Sequence, residues 1–124
     1  AKFSDTELTI NTILQKIQPA LQHPTDYLFI EGVGGWLVPL NSNETMADFA
    51  KALNFPVILV VGLRLGCLNH TLLTYHSIQS YGLTVAGWIA NRIDPTMEYV
   101  DEYIASLQTY MKAPLLADIA YTYK

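Results

Sequence analysis

Glu31-Gly-Val-Gly-Gly-Trp36 is the stretch whose residue types most directly suggest chemistry. A carboxylate followed by three glycines in four positions offers an oxygen ligand to a hard cation and backbone N–H groups to an anion. It follows Tyr27-Leu-Phe-Ile30, an apolar run that reads as a buried strand. A carboxylate at the tip of such a strand is costly to desolvate unless it is paired or binds a cation. Together these features would suit phosphoryl chemistry. A solvent-exposed Glu opening a glycine-rich turn explains the same residues, and both readings stay open because an isolated glycine motif is weak evidence.

A second constellation is Gly62-Leu-Arg-Leu-Gly-Cys-Leu-Asn-His70, which leads into a helical pattern. Gly66, Cys67 and Asn69 could present N–H groups and an amide to a carboxylate at a helix N-terminus. Asn69 could equally be a plain N-cap. No base is evident beside Cys67, so its thiol reads as a small packed side chain rather than a nucleophile. Asn91 follows a further apolar run; its amide can pair with an adenine edge, or it can serve as a turn residue. His23, His70 and His76 show no zinc-like spacing with Cys or carboxylates, and no Ser–His–acid set stands out.

The elements that must position these residues alternate. Ser4-Asp-Thr-Glu7 fits a capping box, and Ile10, Ile13, Leu14, Ile17 and Leu21 keep helical spacing, with Pro19 expected to end or kink the helix. His23-Pro-Thr-Asp26 reads as a turn. Thr45-Met-Ala-Asp48 is a second capping box, opening a helix with Met46, Phe49, Ala50 and Leu53 on one face. Val57–Val61 reads as a buried strand. A third helix follows Asn69, with Leu72, Tyr75 and Ile78 aligned and Gly82 as its stop. Thr84–Ala90 is a third strand. Asp94-Pro95 offers an N-cap and a first-turn proline for a helix striped by Val100, Tyr103, Ile104, Leu107 and Met111. Pro114–Ile119 is a fourth strand. Strands apolar throughout and separated by helices predict an α/β fold, a doubly wound parallel sheet with helices on both faces.

Composition narrows the class. The 124 residues are 51% hydrophobic but only 15% charged, against about 25% charged in an ordinary soluble domain. Disorder is excluded, and the excess of apolar residues suggests a missing partner, since a chain this short hides only about two-thirds of its surface. Net charge is −4 with no Lys/Arg cluster, so no nucleic-acid footprint is present. The apolar stretch Pro56–Leu63 is far short of the roughly 20 residues that span a bilayer. The first residues lack the apolar core of a signal peptide, and the single cysteine points to a reducing compartment, hence a cytoplasmic location. Processing or excision from something longer would explain a first residue other than Met.

In order and at compatible spacing, Glu31-Gly-x-Gly-Gly-Trp36, Pro39-Leu40, Thr45–Asp48, Pro56–Gly62, Leu65-Gly-Cys-Leu-Asn-His70, Ala86-Gly-Trp-Ile-Ala-Asn91 and Ala113–Leu116 closely resemble dethiobiotin synthetase. The resemblance covers residues 1–124 as a single partial domain, the C-terminal half of a P-loop NTPase-like fold. Full-length members are roughly twice as long and open with a P-loop ending Gly-Lys-Thr, which this chain lacks. The resemblance implies a ligase of biotin biosynthesis, homodimeric, with the 124-residue chain inactive alone. The family carboxylates 7,8-diaminopelargonic acid with CO2, phosphorylates the carbamate with ATP and closes the cyclic urea.

On that resemblance Glu31 is a Mg²⁺ ligand, catalysis falls to Glu31, Gly34 and Gly35, and Gly32, Val33 and Gly34 lie beside the phosphates. Gly66, Cys67 and Asn69 form the loop that reaches across the dimer to the substrate's carboxylate end, assisted by Tyr103. Asn91 reads the nucleobase, with Arg92, Ala120 and Tyr121 also on the nucleotide. Two positions depart from the family pattern: Arg92 stands where an acidic residue is frequent, and Ala120 where a proline is. Within the wider P-loop class, a cobyrinate amidating enzyme or a ParA-like ATPase is opposed by the Cys-x-Asn-His loop. A non-catalytic dimerisation or scaffold module is the alternative from another class.

Overall fold

The computed structural model describes residues 8–122 and divides into two compact units, Ala1–Asn54 and Phe55–Lys124. In the first unit, helix α1 spans Ile10–Gln22 and helix α2 spans Met46–Leu53. The Ser4–Glu7 box lies outside the described residues. α1 is capped instead by Thr9, whose hydroxyl accepts from the Thr12 N–H at 3.2 Å while the Thr12 hydroxyl accepts from the Thr9 N–H at 3.0 Å. Pro19 neither ends nor breaks α1, which runs on to Gln22. A proline that near the last turn forfeits a single hydrogen bond, and the apolar stripe continues past it to Leu21. His23 closes the helix as its C-cap.

The capping box at Thr45 forms as expected. Its hydroxyl accepts from the Asp48 N–H at 3.3 Å, and the Asp48 carboxylate accepts from the Thr45 N–H at 2.8 Å. Ala47 and Phe49 are the buried residues of α2, and Asn54 ends it in the left-handed conformation, φ 54°.

Tyr27–Ile30 is not a strand. The segment lies in no ladder, and Tyr27 and Phe29 are 79% and 76% exposed. Apolar composition favours strand geometry, but a parallel strand exists only where a neighbour takes up its N–H and C=O groups, and no described segment does so here.

The second unit runs β-α-β-α-β: β1 Val57–Leu63, α3 Cys67–Ser80, β2 Val85–Arg92, α4 Val100–Tyr110 and β3 Leu115–Ile119. The strands pair in parallel in the order β1-β2-β3. Crossovers between parallel strands are right-handed as a rule, and two that step in the same direction put both helices on one face, in keeping with the single core that α3 and α4 share. α3 packs against β1, β2 and α4. Alternation sends Val61, Leu63, Trp88 and Ala90 into that layer, where they are buried with Cys67, Tyr75, Ile104, Leu107 and Met111. The Tyr75 hydroxyl accepts from the Lys112 N–H at 3.2 Å, fastening α3 to the β3 approach.

The opposite face of the sheet is not covered by α3 or α4. Val60 and Leu116 there are 58% and 51% exposed. Gly87 lies under Leu116, and a Cβ at Gly87 would come within 2.5 Å of that side chain.

In the second unit, two helix starts differ from the sequence reading. α3 begins at Cys67, not after Asn69, because Gly66 takes the N-cap with φ 89°. α4 begins at Val100 rather than at Pro95. Asp94 is used locally: its carboxylate accepts from the Thr96 N–H at 2.9 Å and the Thr96 hydroxyl at 2.7 Å, an Asx turn that spends the capping group early. Gly82 follows the α3 terminus at φ 78° and donates to the Gln79 carbonyl, as its position implied.

Candidate functional site

Parallel strands bring all their carboxyl ends to one edge, where loops and helix N-termini meet. In the second unit this gathers the Gly66 loop after β1, Asn91 and Arg92 at the end of β2, Ala120 and Tyr121 after β3, and the first turns of α3 and α4. Tyr103 belongs to the first turn of α4, its N–H donating to the Tyr99 carbonyl. Gly66, Cys67, Asn69, Asn91, Arg92, Tyr103, Ala120 and Tyr121 are therefore all carried to one edge by topology.

At the start of α3 no side chain caps the helix. The Cys67 N–H donates to the Arg64 carbonyl at 3.0 Å, and that of His70 to the Gly66 carbonyl at 3.2 Å. The N–H groups of Leu68 and Asn69 lie between them, on the positive end of the helix dipole. Asn69 is exposed, its amide takes no partner among the described residues, and it is not the N-cap. Cys67 is buried in the core with 4% exposure, which settles its thiol as packing and leaves only its backbone at the loop.

The Asn91 carboxamide is half-buried and likewise takes no partner among the described residues. A turn role is excluded, since Asn91 pairs with Gly62 and Ile119 inside the sheet. Tyr103 is half-buried against the core, its hydroxyl without a described partner.

Arg92 is committed. Its Nε and Nη2 donate to the two Asp118 oxygens at 2.8 and 2.6 Å, and Nη2 also donates to Asp101 Oδ1 at 2.9 Å. These bonds hold the Asp118 carboxyl below the usual carboxylate range. A hollow of about 290 Å³ opens beside them, lined by Arg92, Asp94, Pro95, Met97, Val100 and Tyr121.

Glu31, Gly32, Val33, Gly34 and Gly35 belong to the first unit. Glu31 is exposed, with no described partner, so the desolvation argument read from the sequence does not hold. The chain there is a series of bends, with Gly34 and Gly35 at φ 85° and 113°, conformations that favour glycine. A Cβ at Gly32 would approach the Met46 methyl at 2.9 Å. No group of three His, Cys, Asp or Glu residues is placed to hold a metal among the described residues. A single free carboxylate fits Mg²⁺, which binds through one or two carboxylates and takes its other ligands from water and phosphate.

The Arg92–Asp118–Asp101 cluster was not foreseen as an interaction. Asp118 lies 26 residues and Asp101 nine residues from Arg92, and only the sheet order makes them neighbours. Among the described residues no helix is long and apolar enough to cross a membrane.

Comparison with known proteins bears out the resemblance read from the sequence. Residues 2–124 match a family model described as an AAA domain. The chain is 53% identical over 97 residues to the ATP-dependent dethiobiotin synthetase BioD of Aromatoleum aromaticum, covering 78% of this chain and 43% of the relative. It is 52% identical over 91 residues to the ATP-dependent dethiobiotin synthetase BioD of Cellvibrio japonicus, covering 73% and 40%. The chain thus spans about two-fifths of the length of the curated relatives it matches.

Proposed function

We propose, from the premise that this chain belongs to the AAA domain family, that it supplies part of the active site of a dethiobiotin synthetase. The reaction is the ATP- and Mg²⁺-dependent conversion of 7,8-diaminopelargonic acid and CO2 to dethiobiotin in biotin biosynthesis. One amine forms a carbamate with CO2, ATP phosphorylates that carbamate, and the second amine displaces phosphate to close the urea ring. The observation that carries the reading is that three ligand-type groups, the Asn69 amide, the Asn91 amide and the Tyr103 hydroxyl, stand at one edge of the sheet and take no partner among the described residues.

Each residue has a definable task. The Leu68 and Asn69 N–H groups with the Asn69 amide receive the substrate carboxylate at the positive end of α3. Tyr103 assists from α4, and Gly66 gives the turn its left-handed entry. Asn91 pairs with the nucleobase, with Ala120 and Tyr121 flanking it. Glu31 would hold Mg²⁺, and the left-handed turns at Gly34 and Gly35 would let backbone N–H groups approach phosphate and carbamate. When bound, Mg²⁺ would neutralise charge on the ATP phosphates. Charge builds on the carbamate and transferred phosphoryl group, so oriented N–H donors rather than a side-chain nucleophile do most of the work. The substrate site is shared across a homodimer in the cytoplasm.

The test is diaminopelargonate-dependent ADP release, with dethiobiotin identified by mass spectrometry, on the whole polypeptide its gene encodes. Turnover is expected there and negligible turnover in the 124-residue chain. Absence of dethiobiotin from the whole polypeptide would overturn the reading.

A further inference from the structure

The β2–β3 ladder ends at Asn91↔Ile119, one residue short of Arg92, and its register shifts between Trp88 and Ile89. Backbone pairing therefore does not hold the last residue of β2 against β3. The start of α4 is also loosely specified. It enters through Tyr99 at φ 57°, unfavourable for an aromatic residue, with no side-chain cap. Arg92 connects all three endings: it grips Asp118 of β3 through two parallel bonds and Asp101 in the first turn of α4 through a third. Among the described residues no other side-chain hydrogen bond ties that turn of α4 to the sheet. Neighbours on a strand point to opposite faces, so while Arg92 turns toward α4 the Asn91 carboxamide leaves from the other side. The clasp therefore fixes the backbone that carries Asn91 without occupying Asn91 itself.

We propose that Arg92 is a positioning residue for nucleobase recognition: by clasping Asp118 and Asp101 it sets the ends of β2, β3 and α4, and thereby the placement from which Asn91 discriminates an adenine base. The inference rests on the nucleotide reading above. The clasp contributes little to global stability, because all three side chains are partly in water and such pairs add little there. Its effect is on geometry, where displacements of an ångström at a recognition group are costly.

The experiment measures dissociation constants for ATP and GTP, together with Tm, on the whole polypeptide. The variants are Arg92→Met, Arg92→Lys and the reversed pair Arg92→Asp with Asp118→Arg. Wild type is expected to prefer ATP. Arg92→Met should lose about tenfold of that preference while its Tm stays within a few degrees. Arg92→Lys should fall between the two, and the reversed pair should regain most of the loss. If Arg92→Met does not fold, Arg92→Lys carries the test, and an unaltered preference in it overturns the proposal. A preference retained by a folded Arg92→Met also overturns it. So does a loss of preference that tracks Tm and is not regained by the reversed pair, which would mark the clasp as merely structural. A wild type that prefers ATP while Arg92→Met keeps the preference defeats the clasp alone. A wild type that binds neither nucleotide defeats the nucleotide reading and the clasp with it.

Discussion

Tyr27–Ile30 and Val57–Leu63 carry the same local signature, an unbroken apolar run rich in β-branched or aromatic residues, yet only the second forms a strand. The difference lies in what surrounds them. Val57–Leu63 pairs along its whole length with Val85–Arg92, and one of its faces buries Val61 and Leu63 in the core beneath α3. Tyr27–Ile30 has no ladder among the described residues, and its rings stack only on each other, Tyr27 on Phe29 at 6.4 Å. Composition makes a segment able to be a strand; a partner makes it one. The same contrast separates the site residues. Those of the second unit are placed by a paired, parallel three-stranded sheet, whereas Glu31 and its glycines stand on bends after a segment that forms no strand.

The largest expected effect tests this contrast directly. Trp88→Ala removes a fully buried indole from the centre of the second unit. It should cost about 3–5 kcal/mol in urea unfolding of the 124-residue chain. Phe29→Ala, at 76% exposure, should change the same chain by no more than about 0.5 kcal/mol. In any longer polypeptide that gives Tyr27–Ile30 a neighbouring strand, the Phe29 effect should rise toward that of Trp88. A small Trp88→Ala effect, or a large Phe29→Ala effect in the short chain, would break the comparison.

Next in size are the two residues proposed to bind ligands, Glu31 for the metal and Asn69 for the substrate, one from each unit. Glu31→Gln in the whole polypeptide should lower kcat by about a hundredfold and blunt its Mg²⁺ dependence. Asn69→Ala should raise KM for diaminopelargonate about tenfold with a smaller change in kcat, as expected for one lost bond to a charged group. Intact turnover and Mg²⁺ dependence in Glu31→Gln would remove the metal role. A fall in kcat at unchanged KM in Asn69→Ala would move that residue from binding to catalysis.

What could be read in advance divides along the same line. Three of the four expected strands, the Thr45 box and the Gly82 stop are present, because each is set by residues within a few positions or by a run with its partner at hand. The parallel order of the three strands was legible too, since it follows from the alternation of elements, whereas Tyr103 reaches their carboxyl edge only because α4 starts at Val100 rather than at Pro95. Three kinds of feature were not. Tyr27–Ile30 depends on a partner, which no local pattern encodes. The starts of α3 and α4 were misplaced because Gly66 and Tyr99 cap through backbone conformation while Asn69 and Asp94, the better side-chain caps, are left free or used in a turn. The Arg92 clasp joins residues far apart in sequence and needs the sheet register to be seen.

The smallest effect sets one carboxylate from each unit against the other. The Asp48 carboxyl lies below its ordinary value of 3.8 chiefly because the Thr45 hydroxyl and N–H donate to it, and Asp118 is lowered by Arg92. A depressed carboxylate stabilises the fold above its unfolded value and loses that contribution as pH falls through the lower folded value. The Tm advantage of wild type over Asp48→Asn or Asp118→Asn should therefore be full above about pH 4 and shrink in more acid buffer. Salt separates the two. The principal donors to Asp48 are neutral, whereas Asp118 faces a guanidinium in partly exposed surroundings. Raising salt toward 1 M shortens the screening length to about 3 Å, so the Asp118 difference should fade while that of Asp48 persists. Equal salt sensitivity would mean that the box at α2 also works mainly through charge, with Lys51 rather than Thr45 as the effective partner.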